Sequence, residues 1–190
     1  MRGRAYHRCR PGAALPRFSW ANVISATRLA VVVPCVFAII EQAWLVASAC
    51  FTYAVVSDFG DGAVARRRGE VSAFGGLLDH GADAVFVTAT LAAFAALGEI
   101  PWLLPPLVAV AFLQYVWDSA ALSGAPLRAS SLGRWNGIAY YVLTGVLVIG
   151  HALIPSASLK PVANAAGWLL AASTAASMAD RAIALWRLRR

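Results

Sequence analysis

The residues from Asp58 to Asp83 read DFGDGAVARRRGEVSAFGGLLDHGAD, placing four aspartates and the run Arg66, Arg67, Arg68 between two apolar segments. Each flanking segment is long enough to lie in a bilayer, where acids are costly and need a reason. If the chain before Arg67 is helical, Asp58, Asp61 and Ala65 stand at i, i+3 and i+7 and share one face, with the small Ala65 leaving room beside the carboxylates. If it is helical again from about Leu77, Asp79 and Asp83 stand at i and i+4 and also share a face. Between the two pairs, Gly69, Gly75 and Gly76 supply the tight reversal that brings one pair opposite the other.

Carboxylates that converge in a low-dielectric site repel by several kcal/mol and must be protonated in part or neutralised by cations. Hard oxygen ligands suit Mg²⁺, Mn²⁺ or Ca²⁺, and two ions bridged by shared carboxylates are an economical arrangement for phosphate chemistry. Gly62 leaves space for a substrate phosphate to approach the backbone, and Arg66 adds a fixed cation of phosphate-matching geometry.

Written with its gaps, the stretch is D58-x2-D61-G62-x2-A65-R66-x8-G75-x3-D79-x3-D83, and it resembles the signature of the class I CDP-alcohol phosphatidyltransferases at all eight fixed positions. These are integral membrane enzymes of phospholipid synthesis. The resemblance implies that Asp58, Asp61, Asp79 and Asp83 ligate two divalent cations, Mg²⁺ or Mn²⁺, and that Asp83 is also the general base for the acceptor hydroxyl. It implies that Gly62, Ala65, Arg66 and Gly75 bind the cytidine diphosphate part of the donor. Asn22, Ser25 and Arg28, at i, i+3 and i+6 in the first apolar segment, are similar to a polar triad of the family's first span, and the resemblance implies that they bind substrate. The resemblance also implies a homodimer.

The elements that must position these groups are helices in a membrane. Hydrophobic residues make up 60% of the 190 and charged residues 13%, and the mean hydropathy is +0.67. That composition excludes an ordinary soluble domain. The expected architecture is all-α, a polytopic membrane protein of six transmembrane helices arranged as three antiparallel pairs. The expected spans are about 21–40, 43–66, 77–97 (or from Asp79), 102–122, 135–154 and 161–186, with a loop over 124–133. Residues 1–19 then form a basic cytoplasmic segment, 20–187 the six-helix transmembrane domain and 188–190 a basic tail. The aspartates of the third span are expected in its N-terminal turns, at the positive end of the helix dipole.

Charge sets the orientation. The first segment carries five arginines, and Arg66–Arg68, Arg128, Arg134, Arg181 and the C-terminal arginines fall on the same side of a six-span topology, against Lys160 alone on the other. The excess of basic residues therefore reflects membrane orientation rather than nucleic-acid binding, and it puts both termini and the acidic motif on the cytoplasmic face of the cell (inner) membrane. Arg28, Asp118, Asp180 and Arg181 sort toward the same leaflet and point to one cavity. Cys9, Cys35 and Cys50 show no metal or disulfide spacing.

The chemistry implied by the resemblance is transfer of a phosphatidyl group from CDP-diacylglycerol to a hydroxyl acceptor with release of CMP. Arg128, Arg134 and Arg181 are candidates for an acceptor phosphate, and Gly133-Arg134 resembles a Gly-Arg found in family members that use phosphorylated polyols, although Asn136-Gly137 departs from the Thr that follows there. The expected acceptor is therefore a polyol phosphate such as glycerol 3-phosphate or an inositol phosphate. The alternatives are a non-phosphorylated alcohol acceptor, an aspartate-rich prenyltransferase, or a transporter or channel with an acidic ion site; an ion path would place acids at several depths rather than in one cluster.

Overall fold

The computed structural model describes residues 20–68, 73–118, 131–154 and 159–188. The expected segments 1–19 and 189–190, together with Gly69, Arg128 and most of the 124–133 loop, lie outside the described residues. Six helices follow one another: α1 (Trp20–Ile40), α2 (Trp44–Arg68), α3 (Ala73–Ala96), α4 (Leu104–Asp118), α5 (Ser131–Leu153) and α6 (Lys160–Leu188). No strand occurs among the described residues. Three segments, Val23–Ile40, Gly75–Ala96 and Ser131–Leu153, are long and apolar enough to cross a membrane, and Trp44–Asp58 and Leu104–Trp117 are shorter apolar helical stretches.

Two of the reversals close by the same local chemistry. After α1, Gln42 takes φ 57°, its N–H reaches Ile39 O at 3.0 Å and Ala43 N–H reaches Ala38 O at 2.8 Å. After α3, Gly98 takes φ 70°, its N–H reaches Ala95 O at 2.9 Å and Glu99 N–H reaches Phe94 O at 3.0 Å. Both are left-handed caps that satisfy the last carbonyls of a helix. Gly98 suits that backbone without strain, whereas Gln42 adopts it at a steric cost. Pro105 and Pro106 fall in the first turn of α4, where their missing N–H groups cost nothing.

The arrangement differs from three separate antiparallel pairs. Among the described residues α1 packs along both α2 and α3, α3 continues to α4, α4 to α6, α6 to α5, and α5 back to α2, which closes a ring with a lesser contact between α3 and α5. Consequently α1 packs between the bodies of α2 and α3, while the acid side chains of those two helices meet beside it. The start of α3 is also corrected. Gly75 and Gly76 belong to the helix, not to the reversal, because Ala73 and Phe74 already continue its helical pattern. Asp79 and Asp83 are thus one to two turns deeper than expected, beyond the first turn in which the helix dipole acts. Likewise α5 begins at Ser131, not Trp135, and carries Gly133 within its first turn. In α4 the described helix ends at Asp118.

The core is apolar through the middle, with Cys35, Ile39, Phe86, Leu91, Phe94, Leu104, Leu147 and Val148 buried among their neighbours. Small residues set the close approaches. A Cβ on Gly145 would meet Phe51 at 2.9 Å, and one on Gly167 would run into Pro101 Cδ and meet Ile100 Cβ at 3.3 Å. At the end away from the aspartates, His151 Nε2 and Glu99 Oε2 are 2.8 Å apart, with the His151 ring stacked on Trp44 at 4.3 Å between centroids. This buried pair ties the end of α3 to the end of α5.

Gly167→Val is expected to lower the melting temperature of the detergent-solubilised protein by several degrees, an overpacking cost of about 1–3 kcal/mol. Gly137→Ala, where an added Cβ meets nothing within 4 Å, should leave it unchanged or raise it slightly. Thermal unfolding followed by tryptophan fluorescence separates the two.

Candidate active site

The bundle brings acids of two helices onto one guanidinium. Arg28, in the third turn of α1, is 0% exposed, and its Nη1 lies 3.3 Å from Asp58 Oδ1, 3.1 Å from Asp79 Oδ1 and in direct contact with Asp83 Oδ1. Its Nε lies 3.4 Å from Ser57 Oγ, and Ser57 in turn donates to Ala54 O at 2.9 Å. A fully buried arginine stem is tolerated beside Val32 only because its head is paired. Tyr141 of α5 donates to Asp83 Oδ1 at 2.9 Å. Its ring is stacked on Phe86 at 6.3 Å and tilted against Phe51 at 6.4 Å, so the hydroxyl is aimed by apolar packing. His80 Nδ1 is 3.7 Å from Asp79 Oδ2.

One oxygen from each of Asp58, Asp79 and Asp83 lies within 4.8 Å of the others. At that spacing two carboxylates repel by about 3 kcal/mol at an effective dielectric of about 20. Fully ionised, the three acids exceed the single charge of Arg28. The donor set, carboxylate oxygens only and with negative charge in excess, fits a hard divalent cation.

A cavity of about 660 Å³ opens from this cluster between α3, α4, α5 and α6. Asp58, Asp83, His80 and Tyr141 line it at the acidic side, and Arg134, Asn136, Gln114, Tyr115 and Arg181 line it opposite. Arg181 lies over the Tyr115 ring, 5.1 Å from its centroid, and that ring is also stacked on His80 at 6.1 Å. Asn136 Oδ1 accepts from Ser173 Oγ at 2.6 Å, and Gln114 Nε2 donates to Met178 O at 3.1 Å. The remaining amide atoms, Asn136 Nδ2 and Gln114 Oε1, are buried without a hydrogen-bond partner, an arrangement uncommon for buried polar groups.

The residues singled out in the sequence fall into three groups. Asp58, Asp79, Asp83 and Arg28 meet in the cluster, and Arg134 and Arg181 face the same cavity. Ser25 is buried on α1 one turn before Arg28, and Gly75 lies one turn before Asp79 on α3; neither lines the cavity. Asp180 is exposed, so its side chain does not join Arg181 in the cavity; the two are adjacent in a helix and point different ways. Asp61, Gly62, Ala65 and Arg66 continue α2 beyond Asp58 and Asn22 opens α1, but their side chains, like that of Asp118, lie outside the described residues. Sequence reasoning missed Tyr141, Ser57, His80, Tyr115 and Gln114. Of these only His80 and Ser57 carried a signal, by standing next to motif aspartates.

A profile of the CDP-alcohol phosphatidyltransferase family matches residues 18–179, which takes in all six helices apart from the end of α6. Over 145 residues the chain is 30% identical to the CDP-diacylglycerol--glycerol-3-phosphate 3-phosphatidyltransferase of Cereibacter sphaeroides, an alignment that spans 72% of this chain and 66% of that relative. A motif whose acids converge beside a cavity and a profile that covers most of the chain lead to one assignment: the protein belongs to the CDP-alcohol phosphatidyltransferase family of integral membrane enzymes.

Proposed function

We propose that the protein transfers a phosphatidyl group from CDP-diacylglycerol to the hydroxyl of a polyol phosphate, glycerol 3-phosphate in the first place, with release of CMP. The observation that carries this reading is the placement of Arg134 and Arg181 on the same cavity as Asp58 and Asp83. Guanidinium groups there suit an acceptor phosphate, and the Cereibacter sphaeroides relative bears the name of a glycerol-3-phosphate enzyme. Asn136 and Gln114 belong to the same lining and bring polar side chains to it.

Asp58, Asp61, Asp79 and Asp83 would hold two divalent cations, Mg²⁺ or Mn²⁺, which when bound neutralise the donor diphosphate and improve CMP as a leaving group. Asp83 takes the proton of the acceptor hydroxyl, whose oxygen forms a bond to the phosphorus that carries diacylglycerol. The bond from that phosphorus to the bridging oxygen breaks, and CMP leaves with the electron pair. Tyr141 is a positioning residue: its hydrogen bond fixes Asp83 Oδ1. Gly62, Ala65, Arg66 and Gly75 hold the cytidine diphosphate, and Asn22 and Ser25 contribute to substrate binding from α1.

Six membrane spans with the site at the cytoplasmic face of the inner membrane are part of the same reading. Its support is the apolar surface of the helices that fall short on length or composition: Leu45, Val46 and Val56 on α2, Leu113 and Trp117 on α4, and Trp168 and Leu169 on α6 are all exposed, as lipid-facing residues are. The basic residues gathered toward the acidic end complete the argument.

Purified protein in detergent with CDP-diacylglycerol and Mn²⁺ should release CMP only when glycerol 3-phosphate or another polyol phosphate is added; release with serine or glycerol alone would overturn the acceptor assignment. Asp83→Asn should cut turnover by about 10²–10⁴-fold, the usual range for a lost general base. Arg181→Ala should raise the acceptor KM by about 10–100-fold, as the loss of a charged hydrogen bond of about 1.5–3 kcal/mol requires, with a smaller effect on kcat. Tyr141→Phe keeps the ring packing and should lower kcat by about tenfold or more with acceptor KM nearly unchanged, as the loss of one hydrogen bond to a carboxylate, about 1.5 kcal/mol or more, suggests.

A further inference from the structure

Arg28 occupies a position that binding of substrate does not explain. Its side chain is 0% exposed and it is absent from the lining of the cavity into which Asp58 and Asp83 open. Through one nitrogen, Nη1, it engages an oxygen of Asp58, of Asp79 and of Asp83, the same three residues whose oxygens lie close enough to share a metal ion. It comes from α1, the helix that stands between the two acid-bearing helices, and its Nε is held by Ser57 of α2. Without a cation at this point, three carboxylates from α2 and α3 would face each other in an apolar bundle.

We infer that Arg28 is the built-in counter-cation of the acidic cluster: it holds Asp58, Asp79 and Asp83 together when no metal is bound, and it competes with divalent cations for those oxygens. The inference rests on the reading that cations bind these carboxylates. Two consequences follow from electrostatics. Loss of the guanidinium charge makes the fold depend on metal, because only an external cation then offsets the acids. The same loss strengthens metal binding, because a unit positive charge in contact with the ligands no longer repels the ion.

The test uses the full chain in detergent, with melting temperature recorded in chelator and in Mn²⁺, and bound Mn²⁺ counted by electron paramagnetic resonance. Wild type and Arg28→Lys should keep most of their melting temperature in chelator and gain only a small rise from Mn²⁺ binding to the folded state. Arg28→Gln should melt several degrees lower in chelator, recover in Mn²⁺, and bind Mn²⁺ on the order of tenfold or more tightly than wild type. If Arg28→Gln does not fold in chelator, the Arg28→Gln/Asp79→Asn pair should restore folding there by removing one of the opposed charges.

An Arg28→Gln protein equally destabilised in chelator and in Mn²⁺, with unchanged Mn²⁺ binding and no recovery from the second substitution, would show Arg28 to be packing alone and overturn the inference while leaving the cation reading intact. Failure of wild type and variant alike to bind Mn²⁺ would overturn both.

Discussion

A guanidinium with no access to solvent, surrounded by carboxylates from two other helices, is the constraint on which this bundle depends. Arg28 cannot be buried singly at tolerable cost, and the part-exposed Asp58, Asp79 and Asp83 repel one another unless a cation lies among them. Held together they fix three things at once: the register of α1 between α2 and α3, the depth at which the polar site begins, and the end of the bundle at which it lies. The ring order of the helices follows from this arrangement, since only an α1 inserted between the acid-bearing helices lets one arginine reach both.

The rest of the molecule divides the work between its two ends. At the acidic end, polar side chains face inward and leave a cavity. At the other, His151 and Glu99 are tied together under Trp44, and two left-handed caps turn the chain within a few residues. Between them the core is apolar, and glycines leave room for neighbouring side chains, Gly145 for the Phe51 ring and Gly167 for Pro101 and Ile100. A rigid middle and a tied far end leave the cavity between α3, α4, α5 and α6 as the place where a head group and an acceptor can meet. Tyr141 joins the two regions, packed on Phe51 and Phe86 at one edge and bonded to Asp83 at the other.

Much of this was legible in the chain. The hydropathy pattern placed six helices to within a few residues at most ends, and the spacing of Asp58, Asp79 and Asp83 identified acids that meet, because helical periodicity alone puts them on shared faces. Gly98 and the paired prolines of α4 marked their turns by backbone chemistry that any local reading catches. What the chain concealed was the identity of neighbours. Nothing in sequence order shows that α1 packs against both α2 and α3, so nothing in it marks the acids of those helices as the partners of Arg28. Tyr141, Tyr115 and Gln114 look like ordinary residues of apolar helices, and only packing around the ring turns their polar ends to the cavity. Gly75 and Gly76 read as a reversal because glycine usually marks one, whereas both lie inside α3, which begins at Ala73.

The central claim is that acids of α2 and α3 form a cation site shared with, and guarded by, Arg28. The most direct measurement is anomalous diffraction at the manganese edge from crystals of the protein grown with Mn²⁺. The account predicts anomalous density among the carboxylates of Asp58, Asp79 and Asp83, with the Arg28 guanidinium withdrawn from at least one of them. Crystals in which Mn²⁺ binds elsewhere, or in which all three carboxylates remain on Arg28 with no density between them, would contradict it.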